Sequence, residues 1–161
     1  MTALETLYAS GGQAVIIPTL ELFCTPWAAP IYICQGFDDI TATTEDGVTA
    51  TFTAAGFAAA LPKRDNSGNQ TLTFAIDNVT GEAQKLIDQA LDARAKIGLV
   101  FRIFLSTDFG APAERPYRMT VLNGFMQGAS VQLNAGYFDL INLAWPRRKY
   151  TLAFAPCLRY I

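Results

Sequence analysis

Residues Thr71 to Leu105 read as strand, helix, strand, and this limits the chain to folds that pack one long helix on a sheet. Leu72, Phe74 and Ile76 alternate with Thr71, Thr73 and Ala75, the two-residue period of a half-buried strand. Asp77-Asn78-Val79-Thr80-Gly81 follows and offers several helix-capping residues. Ala83, Leu86, Ile87 and Ala90 then recur at helical spacing, with Glu82, Lys85, Asp88, Gln89 and Asp92 off that stripe. The spacing predicts a helix over about residues 81–95, with Gly98 close to its end and a second, strongly apolar strand from Leu99 to Leu105.

The rest of the chain is patterned for strands. Leu4 and Leu7 share one face of a short first helix over Thr2–Tyr8. Gln13–Phe23 is apolar but carries Pro18, which cannot donate to a ladder, so the segment is expected to be an edge strand or two short pieces. Ile31–Cys34 is a short strand. Ile40–Thr44 and Val48–Thr53 flank Glu45-Asp46-Gly47, and Asp-Gly between two β-rich runs is a strong hairpin signal. Val48, Ala50 and Phe52 are expected on one face of that strand, and Thr49, Thr51 and Thr53 on the other. Ala54–Leu61 fits either a turn of helix or an extended segment. Pro62–Gln70 and Ser106–Pro116 are loops by their Gly, Pro and Asn content. Tyr117–Leu122 and Ala129–Leu133 are strands, with a turn or bulged crossing between them at Asn123–Gly128. The pattern predicts one α+β domain over residues 1–161, mainly antiparallel β with one main flanking helix.

Composition removes several functions. There is no histidine, so the usual general base at neutral pH and every Ser-His or Cys-His nucleophile are excluded. Carboxylate-pair, lysine and tyrosine chemistries survive. Asp38-Asp39 and Glu45-Asp46 are paired carboxylates, but the spacing of a calcium loop is absent, and nothing places Asp38 beside Asp139 as a dyad. No cofactor or metal is expected. Cys24, Cys34 and Cys157 lack metal-knuckle spacing; a Cys24–Cys34 bridge is conceivable, but reduced thiols are expected of a cytosolic product. A net charge of −2 recruits neither nucleic acid nor an acidic membrane, and no apolar run has membrane-span length. Half the residues are apolar and only 16% are charged, more apolar surface than a monomer needs, which points to an assembly partner.

Three places stand out as subunit contacts. Lys63-Arg64-Asp65-Asn66 lies in the most polar run of the chain. Arg102 sits within an apolar strand, so it must snorkel, pair with a carboxylate or reach an interface. From Trp145 onward the chain is aromatic, with Arg147, Arg148, Tyr150, Phe154 and Tyr160, and such a tail must pack on its own domain or on a neighbour. The Arg147-Arg148-Lys149 cluster can grip phosphates beside Trp145 and Tyr150, but a solvated turn or a charged subunit contact explains it more cheaply.

Four stretches carry a resemblance: Leu4-x-x-Leu7-Tyr8-Ala9-Ser10; Gly36-Phe37-Asp38-Asp39-Ile40-x-Ala42; Leu61-Pro62-x-x-Asp65-Asn66-Ser67-Gly68 running into Leu72–Asn78; and Asn142-x-Ala144-Trp145-Pro146-Arg147-Arg148-x-Tyr150 to Leu158. In these the chain resembles a family of small tail proteins of long-tailed bacteriophages. The resemblance implies a tail-tube-like β-sandwich or split barrel. It implies a structural component of the tail tip or baseplate, a distal tail ring of three or six copies around the tail channel. The partners would be further copies and the tube, tape-measure and hub proteins, and the location would be the virion tail. DNA would pass through without specific binding, no membrane would be involved, and no catalytic residue carries over. The alternative is an assembly factor absent from the finished virion.

Overall fold

The computed structural model describes residues 8–9, 14–60, 71–77, 82–128, 130–137, 151 and 153–160. The strands are β1 (Ile16–Phe23), β2 (Ile31–Gln35), β3 (Ile40–Thr43), β4 (Thr49–Ala55), β5 (Phe57–Ala60), β6 (Thr71–Asp77), β7 (Gly98–Leu105), β8 (Tyr117–Gln127) and β9 (Ser130–Gly136), with helix α1 (Glu82–Asp92) between β6 and β7. They form one sheet in the order β3-β4-β2-β1-β7-β8-β9-β6-β5, antiparallel throughout except for the β2–β4 pair. The fold is therefore α+β and mainly antiparallel, as the alternation predicts.

The connection from β4 to β5 decides the shape. Gly56 alone separates them, yet β4 lies near one end of the strand order and β5 forms the other. The sheet must curl until its ends meet, and β2 and β5 come into contact without joining in a ladder. The result is a split barrel. Its interior is one cluster drawn from nearly every strand: Leu20, Leu22, Ile33, Phe57, Leu72, Phe74, Ile76, Leu99, Phe101, Met119, Val131, Leu133 and Ala135. The β3–β4 hairpin covers the outer face, where Cys34, Ala42, Ala50, Phe52 and Phe104 make a second cluster. Phe52 lies edge-on to Tyr32 and Phe104, with ring centroids 5.2 and 5.9 Å apart.

α1 packs through Ile87 and the buried Ala90, and the Trp27 indole Nε1 donates to Leu86 O at 2.9 Å. The helix stops at Asp92, short of the predicted end. Arg94 takes a left-handed φ of 49° there, and Ala95 N donates back to Ala90 O at 3.0 Å, closing the helix end.

Three local expectations need correcting, at Pro18, at Asn123–Gln127 and at Val48. Pro18 lies inside a continuous strand paired on both sides, not at an edge. Val15 O accepts from Ser106 N at 2.9 Å, so odd-numbered β1 residues bond β7 and even-numbered ones face β2. The β2 ladder ends at Thr19–Cys34, leaving Pro18 just past it, where a missing N–H breaks no bond. Asn123–Gln127 is not a turn but the outer half of β8, after a bulge between Val121 and Asn123. Ala54–Leu61 resolves as the end of β4 and then β5, with Leu61 outside the described residues. Val48 is exposed beside the turn, whereas Ala50 and Phe52 are buried as expected. Of the expected first helix only Tyr8 lies among the described residues, and it is helical.

Candidate functional site

Two features of the structure bear on function, a buried charge cluster and an open apolar cleft. On β7 the two-residue period turns Leu99 and Phe101 into the barrel and Arg102 outward, beneath the β3–β4 hairpin. Arg102 is only 2% exposed. Its Nε donates to Glu45 Oε2 at 2.5 Å and its Nη2 to Glu45 Oε1 at 3.1 Å, a two-pronged pair. Nη1 stands 2.6 Å from Glu21 Oε2, an ion pair in which no N–H is aligned on the oxygen. From β8, Arg118 Nη2 donates to Glu45 Oε1 at 2.7 Å and to Asp46 Oδ2 at 3.3 Å.

The electrostatics follow from this geometry. Burial opposes the charge on Glu45, but the Arg102 and Arg118 guanidiniums and its backbone bond outweigh it, so the carboxyl is held below its ordinary value. Burial also opposes the charge on Arg102, and Glu45 and Glu21 reverse that. Burial and the nearby Glu21 push the Tyr32 phenol up. The cluster fastens the hairpin to the barrel wall. Of the three outcomes the sequence left open for Arg102, the structure shows pairing with carboxylates of its own chain, beneath the hairpin that seals it from solvent.

The cleft lies at the end of the barrel where β7 begins. β7 pairs with β8 only from Gly98–Thr120 to Phe101–Tyr117, and Val121 N adds one bond to Ile97 O at 2.9 Å. β8 runs on to Gln127, paired with β9 on one side only among the described residues. The vacant space is a cleft of about 470 Å³ between Ile87 and Leu91 of α1, residues 95–97, residues 121–126 of β8, and Val131 and Leu133 of β9. Asp88, Lys96 and Asn123 are its polar lining. Gly124 forms part of the floor; a Cβ there would overlap the Leu133 side chain and stand 2.8 Å from Gln132 O. Leu91 is 68% exposed, Leu122 56%, Phe125 54% and Met126 41%.

Lys63, Arg64, Asp65, Asn66, Trp145, Arg147, Arg148 and Tyr150 fall outside the described residues. Phe154 is exposed, and Tyr160 closes a 3-10 turn over Pro156–Tyr160. Asp39 Oδ1 accepts from Ala54 N at 2.7 Å and pins the loop after β2, at whose tip Phe37 is fully exposed. Asp46 belongs to the hairpin turn, which Gly47 completes with a φ of 77°. Sequence reasoning missed Leu91, Leu122, Phe125 and Met126. The available signal was the uncharged run Leu122–Gln127, which reads as a turn because glycines stand at 124 and 128.

Residues 2–150 match the family described as Domain of unknown function (DUF1833). No curated protein matches the chain.

Proposed function

We propose a structural role in a bacteriophage tail tip for this chain, which belongs to the DUF1833 family. On this reading it is a distal tail or baseplate subunit that assembles with further copies and with neighbouring tail proteins around the channel. The observation that carries the reading is large apolar side chains left at separate places on the surface. Phe37 is fully exposed at the tip of a pinned loop, Phe154 is 77% exposed near the C-terminus, and Leu91, Leu122 and Phe125 surround the cleft. Exposed apolar surface of this kind marks interaction sites on folded proteins. The split barrel with one flanking helix is compatible with the tail-tube-like fold that the resemblance implies, which is an argument from analogy.

The test is mass spectrometry of purified phage particles together with electron microscopy of the purified protein. The reading expects the chain in virions at three or six copies, or a multiple, and in closed rings. A chain present during assembly and missing from finished particles would replace the structural role with that of an assembly factor.

A further inference from the structure

The outer half of β8 lacks the devices that keep sheet edges from pairing. Leu122-Asn123-Gly124-Phe125-Met126-Gln127 contains no charged residue and no proline, and its one irregularity, the bulge, lies at its root. Every residue of this half-strand is exposed. Beyond the end of the β7 ladder, alternate residues carry N–H and C=O groups that have no partner strand among the described residues. Behind this edge the cleft stands open under α1, in the place where the inward side chains of one more strand would lie.

We propose that a second copy of this chain supplies that strand, the two β8 edges pairing antiparallel about a twofold axis. Because the edge is uncharged, two identical copies meet without like-charge repulsion. A twofold axis normal to the sheet keeps every side chain on its own face, so the register sets Phe125 opposite Phe125 of the other copy, Gly124 opposite Met126, and Asn123 opposite Gln127. The two Phe125 rings then meet across the axis as a cross-strand aromatic pair. Leu91, Leu122, Phe125 and Met126 of both copies lose solvent together. With the main chain, that is on the order of 500 Å² per copy, or about 1,000 Å² in all, near the lower bound of a specific interface. A twofold contact of this kind is self-complementary and does not build a ring. It joins two free subunits, or two rings face to face, so it stands apart from the proposed tail function and can fail without it.

Sedimentation of the full chain tests the pairing. Wild type at micromolar concentration should sediment as a dimer, or as paired rings where the subunits have closed into rings. Phe125→Lys, which puts a cation on an exposed position of the edge, should raise the dimer dissociation constant at least about a hundredfold with an unchanged circular-dichroism spectrum. A second variant fixes the register: Asn123→Cys with Gln127→Cys, in a Cys157→Ser background, should oxidise to a covalent dimer linked between 123 and 127. A wild type that stays monomeric, a dimer that survives Phe125→Lys, or a link that fails to form in a genuine dimer would each overturn the proposal. Detection of the chain in virions is independent of all three outcomes.

Discussion

At the scale of single residues, Arg102 shows how a charge becomes tolerable in an apolar strand. The sequence reveals the conflict, since an arginine among Val100, Phe101, Ile103 and Phe104 needs a partner. It does not reveal which partner, because Glu45 is far away in the chain and is brought over by the hairpin. Arg102→Ala takes the arginine from Glu21 and leaves Glu45 with Arg118 alone, and should cost about 3 kcal/mol in urea unfolding. Glu45 also gives stability a pH dependence of known sign. Its folded value is depressed, so its contribution is complete above the unfolded value of about 4.3 and is lost as the pH falls through the lower folded value. Glu45→Gln should therefore be less stable than wild type at neutral pH, and the gap should narrow in acid when unfolding is followed from pH 7 downward. The thiols divide by face. Cys24 lies in the inner cluster and Cys34 in the outer one, on opposite sides of the sheet, which leaves no geometry for a bridge between them. A thiol reagent should label exposed Cys157 at once, and Cys24 and Cys34 only on unfolding.

At the scale of elements, legibility followed regularity. β6, α1 and β7 could be read because each keeps one period along its length: Ile87 and Ala90 pack on the barrel core, and Leu86 lines a small gap against Leu22, Trp27 and Ile76. Ile87→Ala should lower stability by about 2 kcal/mol, the low end for an aliphatic truncation, because the side chain is only half-buried. The end of α1 was misread because Arg94, not a glycine, takes the left-handed position. Arg94→Gly should raise the melting temperature, by a gain of roughly 0.5–1 kcal/mol, since glycine enters that region without the Cβ clash. The outer half of β8 was misread for a related reason. Its bulge breaks the two-residue period at Val121/Asn123, and glycines at 124 and 128 imitate a turn. Pro18 misled in the opposite sense: proline argues for an edge, but only the register shows on which side its missing donor falls.

At the scale of the whole molecule, the proposed tail function makes the aromatic C-terminus a contact with another subunit. Removing residues 145–161 should abolish ring assembly and leave a folded protein that builds no rings, read by sedimentation and thermal melting; rings built by the truncated chain would refute that contact. The sequence by itself determined the secondary structure class, the single main helix, the β3–β4 hairpin and the need to neutralise Arg102. All of these rest on interactions between residues near in sequence, or on the cost of burying a particular side chain. Only the tertiary structure decided that the sheet curls into a split barrel, that Glu45 and Glu21 answer Arg102, and that β7 stops short of β8 to leave an open edge over a cleft. Those outcomes depend on which distant strands pair and in what register. A chain's local periods leave that undetermined, because every strand with one apolar face satisfies the same burial rule whichever neighbour it finds.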